Sequence, residues 1–282
     1  MPATDELKAL IAQVPDPDAG GTYVNMDEEK MEAIRKLLPQ LLKGGRDAVL
    51  GIIDMLLEPG KGNDVKPHFA LHLLAVHVTG MGDDKARAAF ALAVASQVGG
   101  GRPKAVQQYL LQELQVAGGK EVVDTLGKAL LDTELCDDAA RALAAIRDGA
   151  AEQFLAALPK VQGRRRLSLI SKLAVLRCPK AADAFKQALS NEDADIRIAA
   201  AWGIARIADA SAADALLKAA DAHQGWERIN QTDACVALAE ALLAAGKKAE
   251  AVALYTHLAK TRTGPAERHI RDTAERALAS AR

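Results

Sequence analysis

Aromatic residues make up only 3% of this 282-residue chain, so its 50% apolar content rests on alanine and the aliphatic side chains. That composition suits thin, closely stacked helices. Charge of one sign is also missing. Thirty-six basic and 37 acidic side chains leave a net charge of −1, which provides no general attraction to nucleic acid or to an anionic membrane surface. The three cysteines, Cys136, Cys178 and Cys235, lie far apart without CxxC spacing. They mark no disulfide framework and read as small apolar side chains. No apolar run approaches a membrane span, and one of the longest, 48–57, is interrupted by Asp54. Residues 1–8 are acidic, without the basic segment and apolar run of a signal peptide. The expectation is a soluble cytoplasmic protein, unless a signal has been removed. The stretch PGKGN at 59–63 lacks GKS or GKT and a preceding strand, so it is no phosphate loop. There is no GxSxG, and no serine or cysteine stands in pattern with an activating histidine.

What the chain does contain is repetition. Residues 191–220, NEDADIRIAAAWGIARIADASAADALLKAA, predict two short helices joined by a turn. Asp193 is the natural N-cap of the first. Ile196, Ala200, Gly203/Ile204 and Ile207 follow with a period of 3.6. Asp209, Ala210 and Ser211 break the pattern. Ala213, Leu216, Leu217 and Ala220 then form a second stripe, with Asp214, Lys218 and Asp221 opposite. Helices of roughly ten residues are not stable alone, because nucleation is costly, so each needs neighbours. Those neighbours lie 31 residues back: Ala182, Asp183 and Phe185 match the second helix, while Arg166, Leu173 and Leu176 match the first. A further 31 back stand Ala151, Glu152 and Phe154, with Leu143 and Ile146 displaced by one residue. A fixed period with two helices per unit means an α-solenoid, in which stacking buries a continuous core.

The order Asp193, Ile196-Arg197, Ala199-Ala200-Ala201, Gly203, Ile207, Asp209, Ala213 and Leu216 resembles a HEAT repeat of the short bacterial kind also found in phycobilin lyases. The resemblance is closest over 191–220, extends over 138–190, and elsewhere is one of helical pattern alone. It implies a right-handed α-α superhelix, here of about seven helix pairs plus terminal caps. Function does not travel with this fold, whose hosts include scaffolds, lyases and hydroxylases. The hydroxylases carry paired His-Glu dipeptides for two irons, and this sequence has no His-Glu dipeptide. Phycobilin lyases offer no compact motif that maps onto these residues. The DNA glycosylases built on similar repeats imply a basic groove with aromatic residues, which this composition does not supply.

The expected organisation is one HEAT-like solenoid over 1–282, comprising an N-terminal arm or cap (1–24), irregular helix pairs (25–131), regular repeats (132–221) and an irregular end (222–282). Within the arm, PDPDAGGTY at 15–23 is loop chemistry, either a flexible link or a flap over the groove. Asn25 and Glu28 form a capping-box variant opening a helix to about Lys43, in which Pro39 predicts a kink or break. Pro67, Asp83 and Pro103 mark further helix starts. Residues 221–233 read as a long joint carrying Trp226, whose ring is expected either to cover the stack or to meet a partner. The following LAEALLAAGKKAEAVALYTHLAK looks like a tetratricopeptide helix pair. Pro265 opens a last helix whose charges, Glu267, Arg268, Arg271, Asp272 and Glu275, suit a solvated cap.

Few constellations carry chemistry. His68 and His72 stand at i, i+4 with Asp64 one turn earlier, the spacing of a two-histidine metal site, but His77 falls on the opposite side of the helix. The paired acids Asp83-Asp84 and Asp137-Asp138 fall at helix starts, where the dipole favours carboxylates. Arg164-Arg165-Arg166 is the one basic cluster and reads as a solvated turn. Glu152, Asp183 and Asp214 stand 31 apart, and Glu250 holds the corresponding place in the next unit. All fall in the first turn of a second helix, the row that usually lines the concave face of HEAT arrays. The expectation is a non-catalytic scaffold without cofactor. It binds a protein partner, rather than nucleic acid or membrane, through that acidic row, through Gln187 and Lys218 beside it, and through Trp226. The basic counterpart would be a segment of the partner. The alternative is an enzyme or enzyme subunit, lyase-like or metal-dependent through Asp64, His68 and His72, or a docking module of a larger enzyme.

Overall fold

The computed structural model describes residues 2–18, 23–24 and 26–280, which form sixteen α-helices, short 3-10 turns and no strand. They divide into two compact units, Met1–Gln153 and Phe154–Arg282. In chain order the helices make seven consecutive pairs, with one helix before them and one after, the packing elements of an α-solenoid.

The first unit begins with α1 (Asp5–Ala12). Three pairs follow: α2 (Glu28–Lys43) with α3 (Gly45–Asp54), α4 (Val65–Gly80) with α5 (Asp84–Ala95), and α6 (Lys104–Ala117) with α7 (Val123–Ala129). The unit continues through α8 (Cys136–Ile146) into α9 (Ala150–Ala157), within which the boundary falls. First helices stack on first helices, α2 on α4, α4 on α6 and α6 on α8, while α3 packs on α5. Leu71, Leu74, Leu110, Leu111 and Leu114 fill the layer between them. The expected capping residue Asn25 lies outside the described residues. Asp27 caps α2 instead, its carboxylate accepting from the Lys30 N–H at 2.9 Å. Pro39 does not end α2. The helix runs on to Lys43, so the loss is confined to the hydrogen bond that proline cannot donate. Of the 15–23 loop, Tyr23 stacks flat on Phe69 of α4 with centroids 3.5 Å apart, and Lys66 pairs with Asp16 at 3.0 Å. Residues 19–22 lie outside the described set.

The second unit contains α10 (Gly163–Val175), α11 (Ala182–Ala188), α12 (Ala194–Arg206), α13 (Ala213–Ala222), α14 (Gly225–Ala244), α15 (Lys248–Thr261) and α16 (Arg268–Ser280). Again α10, α12 and α14 stack in one layer, and α13 packs on α15. Asp193 caps α12 as its side chain predicts, accepting from the Asp195 N–H at 2.9 Å. Phe185 of α11 is fully buried and lies so close to α12 that a Cβ on Gly203 would fall 2.6 Å from its ring. The tight reversal inside each pair has a common form. Arg177 and Ala208 take φ of 51° and 52°, and the next N–H reaches back five residues, Cys178 to Leu173 and Asp209 to Ile204, each at 3.2 Å.

The segment 221–233 is not a long joint. Only His223 and Gln224 separate α13 from α14, and Trp226 lies in the first turn of a 20-residue helix. The start of α14 hides its helical character because its buried positions are polar. Gln231 is fully buried, with Nε2 donating to Glu227 at 3.0 Å and Oε1 3.0 Å from His223 Nδ1. Thr232 is buried beside it. All three cysteines are buried and unbridged.

Candidate protein-interaction surface

The second helices α13 and α15 border an open groove of about 470 Å³, lined by Asp214, Leu217, Lys218, Asp221, Ala222 and His257. The helical period that buries Leu216 and Ala220 turns Asp214 and Lys218 outward, one turn apart. Asp221, at the end of α13, is held from beneath. Arg262, with no exposed surface, donates from Nη1 to Asp221 Oδ1 at 2.5 Å, and His257 Nε2 lies 2.7 Å from Oδ2. Burial opposes ionisation of Asp221, yet the bonds from Arg262 and His257 outweigh it and hold the carboxyl below the usual range. Arg262 Nε also donates to Thr232 Oγ1 at 3.2 Å and lies 3.6 Å from Glu267. The groove therefore presents one fixed carboxylate, Asp221, and one on an exposed turn, Asp214.

Of the expected row, Asp214 and Lys218 enter this groove. Asp183 and Gln187 are exposed on α11, and Glu250 is exposed in the first turn of α15. Asp183 pairs with Lys186 at 3.0 Å, a solvent-exposed contact of small energetic weight. Glu152 is exposed in the first turn of α9 and belongs to the first unit. Trp226 is 71% exposed and does not cover the stack; Ile229, one turn on, is 53% exposed. Glu267 also departs from expectation. It is no solvated cap residue but accepts from Arg228 Nε and Nη2 at 2.6 and 3.2 Å.

The histidines of α4 are engaged with neighbours. His68 Nδ1 lies 3.1 Å from both the carbonyl oxygen and Oδ2 of Asp64, and its ring leans on Tyr109. His72 Nδ1 lies 3.2 Å from both carboxylate oxygens of buried Glu113, a residue 41 positions away that no local pattern connects to it. Hydrogen bonding to Glu113 raises the His72 pKa against the opposing effect of burial. Among the described residues no group of three or more His, Cys, Asp and Glu side chains is arranged to hold a metal ion, and no helix is long and apolar enough to cross a membrane.

Sequence reasoning missed Asp221, His257 and Arg262 as a unit. Asp221 stood on the polar side of α13, but nothing in the local pattern marks Arg262 as buried or pairs it with an acid 41 residues earlier.

Fold and surface together define an α-helical repeat protein. Residues 162–239, spanning α10 to most of α14, match the family model for HEAT repeats, which supports reading these helix pairs as such repeats. No curated protein matches the chain. Among solved structures it is similar to two engineered proteins of the Northeast Structural Genomics Consortium. One is 21% identical with a TM-score of 0.49, covering 98% of this chain and 84% of that one. The other is 19% identical with a TM-score of 0.30, covering 99% and 97%.

Proposed function

We propose that this protein is a non-catalytic interaction scaffold of the cytoplasm whose second-helix row receives a basic segment of a protein partner. We read its repeats as the short bacterial type. The observation that carries the proposal is the groove between α13 and α15, where Asp214 and the pre-positioned Asp221 line one cavity; Asp183 and Glu250 are exposed in the first turns of α11 and α15. Asp214 offers the exposed carboxylate of that groove, while Asp221, whose charge is already offset by Arg262, offers acceptor oxygens held in place, which lowers the cost of association. Gln187 and Lys218 supply hydrogen bonds and exposed Trp226 an apolar anchor. The balanced net charge and the acids of the row both disfavour nucleic acid in this position.

The test is recovery of the main partner from the native source, followed by its affinity for the Asp183→Lys/Asp214→Lys variant. An exposed ion pair is worth about 0.2–1 kcal/mol, so replacing attraction by repulsion at two sites weakens binding by roughly tenfold or more. Unchanged affinity in a variant with a native melting profile removes the acidic row from the interface.

A further inference from the structure

Arg166, Arg197 and Arg228 stand 31 residues apart, each four positions after the N-cap of its helix, on α10, α12 and α14, which pack side by side. Each sends Nη1 back to a backbone carbonyl of the chain just before its helix. Arg166 donates to Leu158 O at 3.4 Å, Arg197 to Asn191 O at 2.5 Å and Glu192 O at 2.8 Å, and Arg228 to Ala220 O at 3.2 Å. The Nε and Nη2 edge is then turned toward another element. On Arg197 that edge grips Glu227 at 2.6 and 2.7 Å, and on Arg228 it grips Glu267 at 2.6 and 3.2 Å. These are the two-pronged contacts that arginine makes best.

Arg166 repeats the arrangement without the acid. Its Nε is buried and has no hydrogen-bond partner among the described residues. The cause lies in the repeat register: the position that carries Glu227 on α14 carries Ile196 on α12. Arg166 instead lines an open cavity of about 380 Å³, shared with Asn191, Glu192, Asp193 and Ile196. A buried guanidinium N–H without an acceptor is costly to maintain, and a carboxylate is its best complement.

We propose that Arg166, across the cavity that it lines with Ile196, receives a carboxylate from a partner polypeptide, as Arg197 receives that of Glu227. The neighbouring charges select its context. Glu192 and Asp193 line the same cavity and repel a free, multiply charged anion, but they attract a lysine or arginine next to a single carboxylate. The occupant is therefore a mixed-charge segment with Glu or Asp beside a basic residue. The proposal rests on the scaffold reading only for the source of that segment, and it is tested without the acidic row.

The test uses the full chain with ¹⁵N-labelled arginine and an acetylated, amidated Lys-Glu-Lys-Glu peptide as probe. The Arg166 Nε–H resonance is expected to move downfield and saturate, while those of Arg197 and Arg228 stay in place. Glu227→Ala, which removes the acceptor from the equivalent edge of Arg197, should make Arg197 respond in the same way. Arg166→Lys keeps the charge but lacks the two-pronged edge, and should lose the calorimetric signal of peptide binding with an unchanged melting profile. An unmoved Arg166 resonance overturns the proposal, as does equal peptide binding by Arg166→Lys. An equal shift with inorganic phosphate overturns the carboxylate assignment.

Discussion

Replacing Gly203 by alanine tests how closely the repeats are packed, because two effects of known size oppose each other there. Alanine is favoured over glycine inside a helix by about 1 kcal/mol, so an exposed substitution stabilises. At Gly203 the added methyl falls 2.6 Å from Cε1 and 2.7 Å from Cδ1 of Phe185. Ordinary carbon contacts need about 3.5–4.0 Å, so the ring must retreat by roughly 1 Å. Phe185 has no exposed surface, and its retreat presses on a filled core. Overpacking of this kind costs about 1–3 kcal/mol, which leaves a net loss of up to about 2 kcal/mol. Gly80→Ala, at the end of α4 with nothing within 4 Å of the new Cβ, is the control and should be neutral to stabilising. Urea unfolding of the three proteins measures the difference, and Phe185→Leu combined with Gly203→Ala should recover part of the loss. If Gly203→Ala is as stabilising as Gly80→Ala, the close approach of α11 and α12 is refuted.

Four further outcomes follow from the same reasoning. Arg262→Met should destabilise by about 1–3 kcal/mol, less than a fully buried pair would lose, because Asp221 and Glu267 are 35% and 24% exposed and keep His257 and Arg228 as partners. Asp221 is held below its ordinary value, so its contribution is present above about pH 4 and fades as pH falls through the folded value; acid unfolding of Arg262→Met should show a weaker dependence, with His257 as the remaining partner. His72 is shifted the other way. Its pairing with Glu113 stabilises fully below the ordinary histidine value of about 6.5 and is lost as pH rises through the raised one, so Glu113→Gln should lower the midpoint of the His72 titration followed by NMR. Ala208→Gly should gain about 0.5–1 kcal/mol by urea unfolding, since φ of 52° is strained for alanine and free for glycine; a loss would place the reversal elsewhere. Trp226→Ala should shift stability by no more than about 0.5 kcal/mol, and a larger loss would mean the ring is packed.

Where the sequence was readable, apolar spacing coincided with burial. Ile196, Ala200 and Ile204 recur with the helical period and all are buried, as are Leu216, Leu217 and Ala220, so both helices of that repeat could be placed from local pattern. The start of α14 was misread because Gln231 and Thr232, polar residues, fill core positions, where Gln231 bonds Glu227 and Thr232 accepts from Arg262. Of the two places expected for Trp226 the exposed one is observed: hydrophobicity predicts burial on average, but the face on which a residue falls is decided by the helix it belongs to.

The amino-acid sequence by itself determined that this chain is helical throughout, that its helices come in pairs, and that Glu152, Asp183, Asp214 and Glu250 open the second helix of successive units. These are consequences of short-range periodicity and capping, which act within a few turns of helix. Only the tertiary structure decided which charges meet. Arg262 reaches Asp221 across 41 residues, His72 reaches Glu113 across 41, and Arg197 finds Glu227 while Arg166 Nε has no hydrogen-bond partner among the described residues. A buried charge is settled by whichever partner the stacked helices bring within hydrogen-bond reach, and that distance is written in no local pattern.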